Sequence, residues 1–286
     1  MSILSLKIRE NEPSLRPIGV FDSGTGGLTV VRALRDLLPH EDIFYIGDTA
    51  RLPYGGKSKS TIERYSIEIS GLLLAESSKM IVVACNTSSS LAVSKLEELL
   101  KVPVVGVIAP GARAAVKETR VGHVGVIGTR STIKSEAYER AIQALNPDVR
   151  VTSQACPLLV PLVEEAWLDE EVTREVLHRY LDPVVAAGID TLVLGCTHYP
   201  LLAPLIEEVA GPGIRLVDSA KNCAVAVKQT LREGGLENLE ETTGKLNVAL
   251  TDSSNSFLAT AKQVLRLDID SVETRIVQGV TLLETA

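Results

Sequence analysis

The chain has 286 residues, and 45% of them are hydrophobic, which is enough to bury the cores of two domains. A net charge of −7 and an aromatic content of 3% argue against a surface built to coat nucleic acid. Residues 1–17 lack the apolar core of a signal peptide, and no apolar run approaches the roughly 18 residues of a membrane span, so we expect a soluble cytoplasmic protein.

The chain begins with a polar lead over residues 1–16, and its first periodic element is a strand at 18–21. That strand runs into the glycine-rich turn DSGTGG at 22–27, and a helix with an apolar stripe follows at 28–38. The turn is neither a Walker A loop nor a GxGxxG fingerprint, and its leading Asp22 would repel an anion. It therefore favours proton handling, or binding of a ligand's ammonium group, over a nucleotide site.

A second predicted strand at 42–47 opens into a long loop at 48–58. The segment Pro53-Tyr54-Gly55 marks a defined turn within this loop. It could line a pocket for a small anion, and the alternative is a plain surface loop with solvated Arg and Lys side chains. We expect a helix at 60–77 after it.

The next strand delivers a cysteine. Residues 80–90 read MIVVACNTSSS, so an apolar run leads straight into Cys85-Asn86-Thr87. A buried strand of a parallel sheet ends in this way, and ligands bind at that edge of open α/β sheets. We expect a helix at 88–100 and then a strand at 102–108 that ends at Pro110-Gly111.

A similar order of elements begins again in the second half. A predicted strand at 121–127 is followed by GTRST, and residues 191–202, TLVLGCTHYPLL, bring Cys196-Thr197-His198 to the end of another apolar strand. A helix at 201–209 and a strand at 214–217 then repeat the order seen after the first strand-end cysteine. This pattern indicates an internal duplication.

The duplication predicts an α/β fold of two similar domains with mostly parallel sheets flanked by helices. A pseudo-two-fold relation between the domains would make the two strand-end cysteines face each other across an active site in the interdomain cleft. We expect residues 1–111 and 220–286 to form the first domain and residues 112–219 the second. The C-terminal part carries predicted helices at 221–233 and 254–264 and predicted strands at 246–251 and 272–276.

Residues 154–167, QACPLLVPLVEEAW, contain two prolines and are expected to be irregular before a helix begins. Either Glu164 or Glu165 could point into the cleft near Cys196. Glutamates at the start of a helix are usually solvated, and the sequence leaves the choice between the two open.

The four cysteines lie far apart and form no CxxC pair. This spacing disfavours a zinc site and, in a reducing compartment, a disulfide framework, so we expect no metal and no disulfide. Two similar strand-end thiols suit a nearly symmetric reaction, such as inverting a carbon centre by removing a proton from one face and delivering one to the other. The groups available to tune these thiols are Asp22 beside the first and His198 and Glu164 beside the second.

Several separate motifs also resemble one family. FDSGTGGL, YIGDTARLPYGGKS, ACNTSSS, CPLLVPLVEE and LGCTHYPLL, in that order over residues 18–220, resemble the glutamate racemases of the aspartate/glutamate racemase superfamily. The resemblance implies a cofactor-independent isomerase that makes D-glutamate for bacterial peptidoglycan. It also implies that the substrates are L-glutamate and D-glutamate, and that the protein forms a homodimer.

The resemblance implies a role for individual residues. Cys85 would take the α-proton of D-glutamate and Cys196 that of L-glutamate, while Cys156 and Cys223 match no functional motif and are expected to be structural. Asp22, Glu164 and His198 would be auxiliary groups that position or tune the thiols. The substrate would be bound by Asp22, Ser23, Pro53, Tyr54, Gly55, Asn86, Thr87, Thr197 and His198.

Three alternatives remain open on the sequence. The first is a racemase of aspartate or another acidic amino acid. The second is a two-lobed amino-acid-binding protein without catalysis, which would have no reason to place a thiol on each lobe. The third is a cysteine acyl transferase using Cys196 and His198, for which Cys85 would be dispensable.

Overall fold

The computed structural model describes residues 12–252, 261 and 266–277. The predicted helix at 254–264 lies outside these residues apart from position 261, and so does most of the predicted polar lead. Ten strands of the described chain form two sheets in which every pairing is parallel. The strands are β1 (Ile18–Asp22), β2 (Ile43–Gly47), β3 (Met80–Val83), β4 (Val104–Gly106), β5 (His123–Gly128), β6 (Arg150–Ala155), β7 (Thr191–Gly195), β8 (Arg215–Asp218), β9 (Leu246–Leu250) and β10 (Ser271–Thr274).

From β1 to β9, helices connect consecutive strands, as parallel pairing requires. The described helices are α1 (Leu28–Leu37), α2 (Lys59–Ala75), α3 (Asn86–Leu99), α4 (Ile108–Glu118), α5 (Arg130–Lys134), α6 (Ala137–Leu145), α7 (Leu159–Glu164), α8 (Glu171–Ala186), α9 (Ala203–Ala210) and α10 (Ser219–Glu233).

The two sheets repeat one topology. The first sheet has the order β10-β9-β2-β1-β3-β4, and the second has the order β6-β5-β7-β8. The four strands β2-β1-β3-β4 thus correspond to β6-β5-β7-β8. In each set, the strand that comes first in the sequence, β1 or β5, is the second strand of the sheet order. The α/β class with two parallel sheets flanked by helices, predicted from the duplication, is confirmed.

One cluster of buried apolar side chains includes residues from both sheets and from the helices between them. Helix α10 packs against both α1 and α4, and its Val227 and Cys223 are fully buried in this cluster. Burial of this shared apolar surface stabilises the packing of the two halves against each other.

The structure differs from the sequence analysis in three local details. Pro110 and Gly111 do not follow a strand but lie in the first turn of α4, where proline is tolerated because its missing N–H would have no helical partner. Residues 150–155 form the edge strand β6, which the sequence analysis did not predict because this strand is half exposed and polar. Part of the segment expected to be irregular forms the short helix α7, and Glu164 is its last residue instead of lying at a helix start.

None of the helices in the described part of the chain is long and apolar enough to cross a membrane.

Candidate active site

A cavity of about 320 Å³ lies where the carboxyl ends of strands from both sheets meet. Open α/β sheets bind ligands at this edge, and the volume suits a small molecule. Most residues predicted for the site line this cavity, and they come from both halves of the chain. They are Ser23, Pro53, Tyr54, Gly55, Cys85, Asn86, Thr87, Glu164, Cys196, Thr197 and His198.

Cys85 lies just beyond β3 and occupies the N-cap position of α3. It is 5% exposed, and its sulfur lies 3.8 Å from Ser23 Oγ. Burial and the negative charge of Asp22 raise the pKa of Cys85 to about 12, although hydrogen bonds to Ser88 and Ser23 oppose this shift. The Cys85 thiol is therefore protonated at neutral pH and can donate a proton.

Cys196 follows β7 directly and is also 5% exposed. Its sulfur lies 3.8 Å from His198 Nδ1, and His198 Nε2 lies 3.4 Å from Glu164 Oε1. Burial disfavours the charged ring, but hydrogen bonds to Cys196 and Glu164, with the charges of Cys196 and Asp22, raise the pKa of His198 to about 10. The protonated ring therefore places a positive charge 3.8 Å from the Cys196 sulfur.

The structure decides between the two neighbouring glutamates. Glu164 lines the cavity and pairs with His198, whereas Glu165 is not among the residues that line it. Glu164 is in the last position of α7, and Pro161 and Val160 of the same helix also form part of the wall.

Asp22 lies behind the cavity wall instead of in it. The side chain is fully buried at the end of β1, where Oδ2 accepts from Gly24 N at 3.0 Å and Oδ1 accepts from Thr197 Oγ1 at 3.4 Å. Burial raises the pKa of Asp22, and the nearby His198 and backbone N–H groups oppose the rise. Asp22 thus acts electrostatically on both the Cys85 side and the His198 side of the cavity.

Side chains at the start of α3 join the two sheets. Thr87 Oγ1 lies 2.9 Å from Thr129 Oγ1, and Asn86 Oδ1 accepts from Tyr138 Oη at 2.7 Å. Asn86 Nδ2 is buried and has no hydrogen-bond partner among the described residues. Because an unsatisfied buried donor is costly, this amide is well suited to bind an acceptor on a ligand.

The turn at 53–55 belongs to the cavity wall and is not a plain surface loop. Tyr54 Oη donates to the buried Asp48 carboxylate, which also pairs with Arg51 at 2.7 Å. Gly55 O accepts from Ser131 N at 3.0 Å, so the turn is also tied to the segment after β5.

Sequence reasoning missed part of the wall. Thr129 and Arg130, which follow β5, line the cavity, as do Pro157, Val160 and Pro161. The repeated strand-then-GTRST pattern was the signal for the first two, and the CPLLVPLVEE motif was the signal for the others. Arg130 is exposed and makes no ion pair or hydrogen bond with the described residues.

All four cysteines are free thiols. Within the described residues, no group of three or more His, Cys, Asp or Glu side chains is arranged to hold a metal ion. A protonated thiol and a second thiol beside an imidazolium line the same cavity, and such a pair can support proton transfer.

Comparison with known proteins shows which family the chain resembles. Residues 28–228 match the model of the Asp/Glu/hydantoin racemase family. The chain is 52% identical to a glutamate racemase of Syntrophus aciditrophicus, over 93% of this chain and 98% of that protein.

Two solved structures share the whole fold. The crystal structure of glutamate racemase isoform RacE1 from Bacillus anthracis superposes with a TM-score of 0.87 at 38% identity, covering 93% of this chain and 98% of that one. Glutamate racemase from Francisella tularensis in complex with D-glutamate superposes with a TM-score of 0.87 at 34% identity, covering 93% of this chain and 100% of that one. Fold and comparisons together define an isomerase, specifically a racemase. The chain belongs to the Asp/Glu/hydantoin racemase family.

Proposed function

We propose that this protein interconverts L-glutamate and D-glutamate by a two-base mechanism in which Cys85 and Cys196 exchange the α-proton. The observation that carries the proposal is that two thiols from different sheets line one cavity of about 320 Å³. The names of the relatives, and the D-glutamate bound to one of them, support glutamate as the substrate.

Conversion of L-glutamate begins with proton removal by Cys196. The Cα–H bond breaks as the Cys196 thiolate takes the proton, and a new Cα–H bond forms as the Cys85 thiol delivers its own proton to the opposite face. The two cysteines end with exchanged protonation states, and no electrons are gained or lost. Conversion of D-glutamate starts from that exchanged state and runs in reverse.

Neighbouring charges prepare the two thiols for these roles. The protonated His198, which pairs with Glu164, places a positive charge beside Cys196, the proposed base for L-glutamate, and Asp22 keeps the Cys85 thiol protonated. The cavity thus holds an acid and a base together before the substrate arrives.

The charge that develops on the substrate needs stabilisation as the α-proton leaves. Helix α3 begins at Asn86, so its first backbone N–H groups and its positive dipole end lie at the cavity wall beside Cys85. These donors suit the α-carboxylate, on which the carbanion's charge is delocalised. Ser23, Thr87, Thr197 and the Tyr54-Gly55 turn supply further polar groups for the two carboxylates.

The biological assignment rests on the resemblance to the glutamate racemases. We propose that the D-glutamate made here supplies peptidoglycan synthesis, that the reaction needs no cofactor, and that the enzyme is a cytoplasmic homodimer. We also propose that residues 1–111 with 220–286 and residues 112–219 are the two domains that the duplication predicts.

A racemase of aspartate or another acidic amino acid is the remaining alternative. It differs from the proposal only in substrate length, so a panel of L- and D-glutamate and L- and D-aspartate distinguishes the two. Faster racemisation of aspartate than of glutamate would overturn the substrate assignment while leaving the two-base mechanism in place.

The experiment that tests the mechanism is α-proton exchange in deuterated water with each enantiomer, followed by NMR. Cys85→Ser and Cys196→Ser are compared with the wild type and with Cys223→Ala, a control at a buried cysteine that does not line the cavity. We expect both serine variants to lose racemisation, and their residual exchange of the two enantiomers to be biased in opposite senses. Normal racemisation by Cys85→Ser would contradict the two-thiol mechanism and leave Cys196 as the only base.

A further inference from the structure

The glycine-rich turn that follows β1 presses against the loop that follows β7. A Cβ atom built on Gly26 would lie 2.6 Å from His198 Nδ1 and would also overlap Thr197 Oγ1. His198 Nδ1 is the same atom that lies 3.8 Å from the Cys196 sulfur. Only a residue without a side chain therefore fits here while leaving His198 at its present distance from the thiol.

Thr29, in the first turn of α1, ties the same two segments together. Its Oγ1 lies 2.9 Å from Gly26 O and 3.2 Å from Thr197 O, and both contacts are buried. The hydroxyl hydrogen thus lies between a carbonyl of its own turn and the carbonyl of the residue between Cys196 and His198. This contact spans 168 positions in sequence, so it joins the first sheet's turn to the second sheet's loop.

The two thiols differ in which sheet supplies the groups around them. The groups that act on Cys85, which are Asp22, Ser23 and Ser88, come from the segments around β1 and β3 of its own sheet. Beside Cys196, the His198 ring lies against Gly26, and the carbonyl of Thr197 accepts from Thr29; both Gly26 and Thr29 belong to the segment after β1 of the other sheet. The charged or titratable groups that act on this ring are Cys196, Glu164 and Asp22.

We propose that Thr29 is a positioning residue whose hydroxyl, together with the bare backbone of Gly26, holds His198 against Cys196. The inference rests on the proposed function only for its effect on racemisation. The effect on the reactivity of Cys196 is a property of the fold and can be measured without any substrate.

The test measures the alkylation rate of each cysteine by iodoacetamide at pH 7, with the modified peptides quantified by mass spectrometry. We expect Thr29→Val to slow alkylation of Cys196 by about three- to tenfold, the range that one net hydrogen bond is worth. The rate at Cys85 should be unchanged, and Thr29→Ser, which keeps the hydroxyl, should restore the Cys196 rate. Thr230→Val is the matched control, because Thr230 also donates to a backbone carbonyl, at 3.0 Å, but lies in α10 and does not line the cavity.

Racemisation provides the second measurement. Because the two enantiomers have equal free energy, any variant must change kcat/KM by the same factor in both directions. Thr29→Val should lower both values by the factor seen at Cys196, with a melting temperature close to that of Thr230→Val. If Thr29→Val does not fold, Gly26→Ala is used instead, because its added methyl group would displace His198 Nδ1. This variant should slow the alkylation of Cys196 and leave that of Cys85 unchanged.

Three results have clear meanings. Equal slowing at Cys85 and Cys196 would overturn the inference, because it would indicate a general distortion of the cavity. An unchanged Cys196 rate in folded Thr29→Val would also overturn it. Selective slowing at Cys196 in a protein that does not racemise glutamate would support the inference and contradict the proposed function.

Discussion

His198 Nδ1 lies 3.8 Å from the sulfur of Cys196, whereas the charged group that acts on Cys85 is the carboxylate of Asp22. The two thiols of one cavity therefore experience charges of opposite sign. A racemase cannot alter the equilibrium between enantiomers, so this asymmetry can affect only the individual kcat and KM values of the two directions. Four predictions concern these charges and the polar groups that stabilise each sheet, and a fifth concerns substrate capture.

His198→Gln should lower kcat by roughly tenfold or more, because the positive charge beside Cys196 is lost. It should also remove a pH-dependent contribution to stability. The pKa of His198 is raised to about 10 from an ordinary value near 6.5, so its interactions stabilise the fold fully below about pH 6.5 and are lost as the pH rises through about 10. Urea denaturation of wild type and variant at pH 6 and pH 10 checks this, and a stability difference that is no smaller at pH 10 would contradict it.

Asp22→Asn should make Cys85 more reactive. The Asp22 charge is one of the two causes that raise the pKa of Cys85 to about 12, so removing it increases the thiolate fraction at any pH below that value. Mapped alkylation at pH 9 should show faster modification of Cys85 in the variant. Slower or equal modification would mean that Asp22 does not control this thiol.

Arg130→Gln should weaken substrate capture. Arg130 lines the cavity without a partner among the described residues, and the protein as a whole is negatively charged. An exposed cation of this kind is worth about two- to fivefold in the KM of a dicarboxylate substrate at low salt. The difference from the wild type should disappear as ionic strength rises, because salt screens exposed charges. Arg140→Gln, the same change on the exposed face of α6, should leave KM unchanged.

Lys79→Met should destabilise the fold by about 3–5 kcal/mol, because it leaves the buried Glu41 carboxylate without its counter-charge. The two side chains are 1% and 2% exposed, and burial lowers the pKa of Lys79 and raises that of Glu41. The double variant Glu41→Leu/Lys79→Met should recover much of the loss in urea denaturation. Glu41 precedes β2 and Lys79 precedes β3, so the pair lies at the amino ends of the strands, away from the cavity at their carboxyl ends. Racemisation per folded molecule should therefore stay unchanged. A double variant no more stable than Lys79→Met would contradict this account.

Asp190→Asn should destabilise the second sheet by about 1–3 kcal/mol at neutral pH. Asp190 accepts from Thr119 Oγ1 at 2.6 Å, Arg120 N at 2.6 Å and Val121 N at 3.0 Å, fastening the start of β5 to the start of β7. Burial opposes ionisation, but these hydrogen bonds lower the pKa of Asp190 to about 2. A lowered pKa means that the stabilisation is present above about pH 4 and is lost as the pH falls through about 2. Thermal melts of both proteins from pH 7 to pH 2 should therefore converge at the acid end.

Sequence patterns predicted the elements that carry the site because those patterns are local. Apolar runs ending in Cys85 and Cys196 identified two buried strands and the edge at which they end, and the structure has both cysteines there. The family resemblance, the racemase class and the α/β architecture are confirmed. The roles of the individual side chains remain predictions. The strand at 150–155 was missed because a half-exposed edge strand leaves no apolar run to detect.

The sequence by itself determined the family, the parallel α/β class and the placement of two cysteines at strand ends, because residue type and spacing along the chain encode these features. Only the tertiary structure decided that Glu164 and not Glu165 reaches His198, that Asp22 lies behind the wall, and that Thr29 contacts the Cys196 loop. Each of these depends on how segments far apart in sequence pack together. Close packing decides which side of α7 faces the cavity and how closely the glycine turn approaches the imidazole. Neither feature produces a periodic pattern in the sequence.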